Sequence, residues 1–432
     1  MTVLMIGAQL GAVPDDDLDR LALDPAAEDR LAADLSASGV VDGVFVLSTC
    51  QRTEVYVSTG DPLAATAVVE RAWTAATGRD RGSPAGVPCL RTGADAAAHL
   101  FAVVGGRRSA TPGETHVVDQ VRGALARAQH RGRLGGELNS LVQQSLRTGR
   151  RMRALDGPTG GDDLADRALQ VALARHRPGP GTRVLVVGAG TVGREAATAA
   201  ARRGTDVTVL SRTTARARLV AEEVGGRCAT GSLGAALVAA EVVVTATSSP
   251  APLIDLTAAR TALRARDGRP QVYVDLARPR DVVTTVARLP GVQRIGLSDL
   301  LVTGQEPRCS AVAESDAADW ERTRRAAAAG PVVRALRDRA MEAVEDEVRR
   351  VTRPSGSPED AEVLRRSLRR VVNRLLHTPM ERARAHAADG TLARYELLLD
   401  DLFTPPGTTA DRRRRLDRNP EEVTPRREQV MR

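Results

Sequence analysis

Residues Arg183–Gly204 read RVLVVGAGTVGREAATAAARRG. The apolar run Val184-Leu185-Val186-Val187 is followed at once by Gly188-Ala189-Gly190-Thr191-Val192-Gly193, and then by an alanine-rich stretch that stops at Gly204. A strand, a glycine turn and a helix in that order are the context a dinucleotide fingerprint requires. The glycines allow a tight turn and let backbone N–H groups approach a pyrophosphate at the helix N-terminus. A nucleotide-free α/β turn is the competing reading. Further apolar runs follow in DVTVLSRT (206–213), AEVVVTATSS (240–249) and QVYVDLA (271–277), separated by helix-like stretches. Strands alternating with helices predict a parallel, doubly wound, Rossmann-type sheet. At the end of its second strand, a carboxylate would grip the ribose hydroxyls of NAD. Ser211 and Arg212 stand there instead, followed by Thr213 and Thr214, which suits a 2′-phosphate and favours NADPH. The alternative is a surface arginine in an arginine-rich chain.

On either side the pattern changes. Upstream, Met1–Gly7 and Val44–Leu47 read as buried strands. Leu18–Leu35 has helical spacing with Pro25 as a break or helix start, and 94–104, 117–128 and 138–153 read as helices. DGPTGGDD (156–163) is turn-rich and reads as a linker. Downstream of about residue 311 the chain is rich in Arg, Glu, Ala and Leu. Gly330–Val351, Glu359–Thr378 and Ala393–Phe403 carry amphipathic helical patterns, most simply an oligomerisation module. The expected fold class is multidomain α/β. Its parts are an N-terminal α+β domain (1–155), an NADP-binding Rossmann domain (156–310), a helical oligomerisation domain (311–403) and a charged, disordered tail (404–432).

Composition narrows the function classes. At 432 residues the chain is too long for one ordinary core. The net charge is +8 and every basic residue is arginine, which reflects either genomic base composition or an anionic partner such as nucleic acid. Cys50, Cys89, Cys228 and Cys309 form no CxxC pair, which argues against a zinc site or a disulfide framework; no metal is expected. No stretch approaches a transmembrane span and no signal-peptide pattern opens the chain, so a cytoplasmic protein without membrane contact is expected.

One cysteine stands apart. In VFVLSTCQRTEVYV (44–57), Cys50 follows a strand and has Thr49, Arg52 and Glu54 as neighbours. A guanidinium nearby favours the thiolate, the nucleophilic form. A nucleophilic cysteine with an NADP domain suggests acyl transfer followed by hydride reduction to an aldehyde. A structural, buried cysteine is the alternative.

Here the motifs become specific. LSTCQRTEVY resembles the catalytic signature of the glutamyl-tRNA reductase family, with Gln51 where the family usually has Asn. HLFAVVGG (99–106), GETHVVDQV (113–121), the glycine turn, VYVDLARPRD (272–281) and RLLHTP (374–379) resemble further family blocks in the same order, so the resemblance covers about residues 1–403. It implies an N-terminal catalytic domain, an NADPH domain and a helical dimerisation domain. A long spinal helix would be matched by 311–350, with Gly330-Pro331 a break or junction. It implies that Cys50 attacks the ester carbonyl of glutamyl-tRNA and releases the tRNA. The resulting thioester is reduced to glutamate-1-semialdehyde, the precursor of 5-aminolevulinate and tetrapyrroles (porphyrins). His99 would orient substrate or transfer a proton; a histidine packed against Phe101 is the alternative. Thr49, Gln51, Arg52, Ser109, Glu114, Thr115, His116 and Gln120 would line the glutamate pocket. Gly188, Ala189, Gly190, Thr191, Val192, Gly193, Ser211 and Arg212 would hold NADPH. Implied partners are the tRNA substrate, a second copy of the chain and, transiently, glutamate-1-semialdehyde aminomutase.

The departures from the family pattern cluster at the substrate. GGRRSATPGE (105–114) stands where the family commonly reads GLDSxVLGE, so Arg107 and Arg108 are additional positive charges, and His116 stands for Gln. Three readings follow: an active glutamyl-tRNA reductase, a paralogue reducing another activated acyl group, or a non-catalytic NADP-binding homologue.

Overall fold

The computed structural model describes residues 1–77, 89–109, 116–156, 164–176, 181–301, 307–352 and 357–403. The described chain divides into two compact units, 1–320 and 321 onward.

The first unit opens with β1 (Thr2–Gln9), α1 (Asp15–Arg20), α2 (Pro25–Ala37), β2 (Gly43–Ser48), β3 (Arg52–Thr59), α3 (Pro62–Thr77) and β4 (Cys89–Thr92), then α4 (Gly93–Val104), α5 (His116–His130) and α6 (Gly135–Asp156). The four strands form an antiparallel sheet in the order β2-β3-β1-β4. Pro25 is a helix start: Asp24 caps α2 by accepting from Ala27 N at 2.7 Å. Both faces of the sheet are covered. Leu4, Ile6, Val44, Val46, Val55 and Val57 pack on one side with Leu31, Leu35, Val69 and Trp73 of α2 and α3. Val3, Met5, Phe45, Leu47 and Tyr56 pack on the other with α4, α5 and α6. Alternate residues of a strand face opposite sides, so this layering fixes which side chains meet. Arg52, Thr53 and Glu54 are the buried first three residues of β3.

α7 (Leu164–His176) leads into β5 (Arg183–Val187), α8 (Thr191–Arg202), β6 (Asp206–Leu210), α9 (Thr214–Glu223), β7 (Arg227–Cys228), α10 (Leu233–Ala239), β8 (Val242–Thr245), α11 (Leu256–Ala265), β9 (Gln271–Asp275) and β10 (Val292–Ile295). The order β10-β9-β8-β5-β6-β7, with every pair parallel, is the doubly wound dinucleotide topology whose switch point lies between β5 and β8. The apolar core is continuous between the two sheets of this unit. Arg278 and Arg280 also pair with Asp19, and with Asp15 and Asp16, of α1.

α12 (Pro307–Ala327) runs from the first unit into the second, which holds α13 (Gly330–Thr352), α14 (Pro358–Ala388) and α15 (Leu392–Phe403). The expected spinal helix is interrupted at Ala328-Ala329, just before Gly330-Pro331, because Pro331 has no N–H to continue the ladder. The helix expected to stop at Thr378 continues through Pro379 to Ala388. Leu376, Ala383 and Ala387 keep one buried stripe against Leu336, Tyr395 and Leu399, and that packing outweighs the lost bond. Val363, Val371, Leu375, Leu398 and Leu402 remain exposed in this unit. Among the described residues no helix is long and apolar enough to cross a membrane. The linker 157–163 and the tail from 404 lie outside the described residues.

Gly149 of α6 packs against the end of α4. A Cβ there would stand 2.9 Å from the Val104 carbonyl carbon and oxygen. Gly149→Ala gains helix propensity but overpacks backbone, so we expect a net loss of about 1–3 kcal/mol in chemical denaturation.

Candidate active site

β2 and β3 are joined by a short turn that presents Cys50. Thr49 N donates to Arg52 O at 2.8 Å, Gln51 N donates to Thr49 Oγ1 at 3.2 Å, and Leu10 N donates to Gln51 O at 2.8 Å. The turn is thus closed and tied to the end of β1, with Cys50 half-buried at its tip and Gln51 buried. Cys50, Cys89 and Cys228 are not in disulfide bonds.

Past the turn, Arg52, Glu54 and Tyr56 alternate onto the face covered by α4. All three are buried. Glu54 is the hub: Oε1 accepts from Arg52 Nη1 at 3.2 Å and lies 2.8 Å from His99 Nε2, while Oε2 accepts from Tyr56 OH at 2.8 Å. Arg52 Nη2 also donates to the Arg108 carbonyl. Burial alone would raise the Glu54 pKa, but His99 and Arg52 beside it, with the hydrogen bonds of His99 and Tyr56, hold it at about 2. Burial first, and the adjacent Glu54 second, push the Tyr56 hydroxyl far up. Gly7 faces Glu54 across the β1–β3 ladder, and a Cβ there would stand 2.7 Å from Glu54 Cγ.

The expected substrate residues therefore fall into three groups. Thr49, Gln51, Arg52, His99 and Ser109 gather at the turn and the network, Ser109 as the residue after Arg108. His116 opens α5 with Nε2 2.6 Å from Glu195 Oε1 of α8, and Gln120 is exposed on the same helix. Glu114 and Thr115 lie outside the described residues. His99 is not merely packed against Phe101: its Nε2 serves Glu54, while its buried Nδ1 has no hydrogen-bond partner. Sequence reasoning gave Glu54 no role of its own. The signal was present in the period-2 spacing of Arg52, Glu54 and Tyr56.

The second site is a cleft of about 610 Å³ at the switch point, lined by Gly188–Val192, Leu210–Thr213, Arg216 and Ala246–Ser249. Its residues fit a dinucleotide. Gly188 has φ +120°, and a Cβ on it would strike the Ala246 carbonyl oxygen at 2.3 Å; one on Gly193 would strike the Gly188 carbonyl oxygen at 2.2 Å. At Gly190 nothing stands within 4 Å of such a Cβ, which leaves room for a phosphate. Ser211 and the exposed Arg212 are at the cleft, and Arg216, which sequence reasoning missed, joins them one turn into α9.

Two further acids shape this cleft from behind. Asp275 accepts from Thr245 Oγ1 and from the backbone of Ala277, Asp281 and Val282, and pairs with Arg294 at 3.1 Å. Asp281 accepts from Thr247 N at 3.0 Å and Thr247 Oγ1 at 2.6 Å, which fixes the loop lining the cleft. Burial pushes Asp281 up to about 6 against the pull of those hydrogen bonds.

Family profiles match the chain in three successive stretches. The N-terminal domain of glutamyl-tRNAGlu reductase matches residues 6–155, shikimate/quinate 5-dehydrogenase 171–302, and the glutamyl-tRNAGlu reductase dimerisation domain 310–405. Glutamyl-tRNA reductase 1 of Nocardioides sp. is 38% identical over 423 residues, covering 93% of this chain and 96% of its own. Glutamyl-tRNA reductase of Acidothermus cellulolyticus is 34% identical over 417 residues, covering 93% and 88%. The solved glutamyl-tRNA reductase of Methanopyrus kandleri covers 91% of this chain and 99% of its own at 25% identity, with a TM-score of 0.45.

Two outcomes follow from the acids. Glu54→Gln leaves the Arg52 guanidinium buried without its counter-ion, and chemical denaturation should show a loss of about 3–5 kcal/mol. For Asp281 the folded pKa is raised, so its ionised form is penalised in the folded state. That penalty is absent below the unfolded pKa of about 3.8 and complete above about 6. Its contribution to stability therefore falls between pH 4 and 6, and thermal melts of Asp281→Asn across that window should lack this component.

Proposed function

Because the chain belongs to the glutamyl-tRNA reductase family, we propose that the β2–β3 turn is its acyl-transfer site, with Cys50 as the nucleophile. The protein is an NADPH-dependent oxidoreductase that converts glutamyl-tRNA to glutamate-1-semialdehyde and free tRNA, the first step of tetrapyrrole biosynthesis, and it works as a homodimer. The observation that carries the site reading is the closed turn, which holds a half-buried thiol directly before a strand whose polar side chains are fixed from behind.

In this reading the Cys50 sulfur attacks the ester carbonyl. A C–S bond forms, the C–O bond to the ribose breaks, and the tRNA leaves as its hydroxyl with a proton. NADPH, when held in the switch-point cleft, would supply the hydride to the acyl carbon; the C–S bond breaks, the aldehyde leaves and the Cys50 thiolate takes up a proton. Gly188–Gly193 provide the backbone for its pyrophosphate, and Ser211 and Arg212 the donors for a 2′-phosphate. His99 is the proton-transfer candidate, its ring oriented by Glu54. Thr49, Gln51, Arg52 and Ser109 line the substrate side, and Glu114 and Thr115 join them by resemblance alone. Arg52 has two roles open to it by sequence, favouring the thiolate or binding a carboxylate. Its burial and its engagement with Glu54 and the Arg108 carbonyl support a third, as the fixed floor of the pocket. We further propose that the enzyme acts in the cytoplasm, and that it passes its reactive aldehyde to an aminomutase.

Incubation with glutamyl-tRNA and NADPH should yield semialdehyde. Cys50→Ser should lose at least about a thousandfold in turnover while NADPH still binds. Wild-type protein that binds NADPH but forms no product, or a serine variant that keeps its rate, would overturn the reading.

A further inference from the structure

The cofactor cleft lies across the ends of β6, β5 and β8, which are neighbours in that order. Ser211 and Arg212 follow β6, the glycine turn follows β5, and Ala246–Ser249 follow β8. A dinucleotide crosses the switch point from one strand end to the next. With its 2′-phosphate at Ser211 and Arg212 and its pyrophosphate on the glycine turn, the remaining end, the nicotinamide and its ribose, falls on Ala246–Ser249.

That loop is held from both sides. On one side a Cβ on Gly188 would strike the Ala246 carbonyl oxygen at 2.3 Å, so loop and glycine turn are in close contact. On the other side stands Asp281, fully buried. Its Oδ2 accepts from Thr247 N at 3.0 Å and its Oδ1 from Thr247 Oγ1 at 2.6 Å. Thr247 Oγ1 in turn accepts from Ser249 N at 3.1 Å, so the clamp on one residue sets the loop as far as Ser249. Asp281 is itself fixed. Its N–H donates to Asp275 Oδ1 at 3.3 Å, and its carbonyl accepts from Leu253 N at 2.8 Å and Ile254 N at 2.9 Å. Asp275 is anchored in turn by Arg294 at 3.1 Å. Among the described residues no cation pairs with Asp281. A buried carboxylate without a counter-ion is costly, and an apolar side chain would pack behind the loop more cheaply. Both oxygens of this one serve a single residue of the cleft.

We propose that Asp281 is a positioning residue for the nicotinamide: through Thr247 it fixes the loop on which the ring rests, and so sets how the ring presents its hydride. This rests on the reading of the cleft as the NADPH site. The position requires two acceptors. An amide at 281 keeps one oxygen for Thr247 but turns an –NH2 group on the second donor. The loop is then released at the end where the ring lies, while the glycine turn and the Ser211–Arg212 end keep their own supports. Hydride transfer is sensitive to small errors of approach, so turnover suffers more than cofactor affinity.

The test uses the full chain and compares NADPH with 2′-phospho-ADP-ribose, the same skeleton without the nicotinamide ring. In calorimetric titrations Asp281→Asn should weaken NADPH about 10-fold and leave 2′-phospho-ADP-ribose within about twofold of wild type. Thr247→Val, which removes the hydroxyl, should act in the same direction, and Thr247→Ser should stay near wild type. The Asn and Val losses should fall short of additive when combined, because they touch one contact. On glutamyl-tRNA, Asp281→Asn should lower kcat about 10- to 100-fold with KM for the tRNA little changed. The isotope effect from NADPH doubly deuterated at C4 should grow as hydride transfer becomes the slow step. Equal weakening of both ligands in the Asn and Val variants would mean that the contact supports the cleft as a whole, and would overturn the assignment. Unchanged NADPH affinity with an unchanged isotope effect would overturn it too. The binding arm needs no turnover. Protein that shows the selective loss yet forms no semialdehyde would sink the reaction proposed for the Cys50 turn and leave the role of Asp281 standing. An active wild type whose variants lose both ligands alike would do the reverse. Retained affinity for 2′-phospho-ADP-ribose reports that a variant is folded, and Thr247→Val reads the same contact from its other side should Asp281→Asn fail to fold.

Discussion

The ionised Glu54 carboxylate sits inside a sheet covered on both faces, and the first unit is arranged around keeping it satisfied. A buried charge is tolerated only when paired and hydrogen-bonded. Arg52 comes from the same strand, Tyr56 from two residues further on, and His99 from a helix laid over the sheet. Arg52 is committed in turn, since it also holds the Arg108 carbonyl. The constraint reaches β1, where position 7 has no room for a Cβ. A site built this way is ordered before substrate arrives, so little reorganisation is left for the reaction itself.

How much of this was legible in the sequence depends on how local the determinant is. The cofactor half was readable because its rules are short-range: a strand of β-branched residues, a glycine with positive φ, a second glycine packed against the first. Pro25 and the Gly330-Pro331 break were readable for the same reason. The Glu54 network was not, because Glu54 and His99 are 45 residues apart and only the folded sheet and α4 bring them together. Arg52-Thr53-Glu54 is polar in sequence and interrupts the apolar alternation that resumes at Val55. It is strand because the opposite faces of β3 bury against two different helix layers. The passage of α14 through Pro379 was hidden likewise, since an apolar stripe spanning three helices outweighs one missing backbone donor.

The turn bearing Cys50 and the switch-point cleft belong to one compact unit, and polar links reinforce the shared core. Arg278 and Arg280, in the segment that follows β9, reach the acidic first helix, and His116 reaches Glu195 near the start of α8. The same segment ends in Asp281, which fixes the cleft loop through Thr247. VYVDLARPRD therefore does two jobs that a sequence block cannot display. Its arginines tie the cofactor half to the first helix, and its acids shape the cofactor's loop.

The two buried acids respond to pH in opposite senses because their surroundings differ in kind. Glu54 has a guanidinium and an imidazole against it, and those outweigh its burial. Asp281 has only neutral donors, with Asp275 adding repulsion, so burial dominates and its ionisation is delayed to about pH 6. Mild acid therefore protonates Asp281 while Glu54 stays charged. Thr247 Oγ1 can then accept a hydrogen bond from the Asp281 carboxyl where it previously donated one. The hydrogen bonding of the loop therefore changes between about pH 4 and 6.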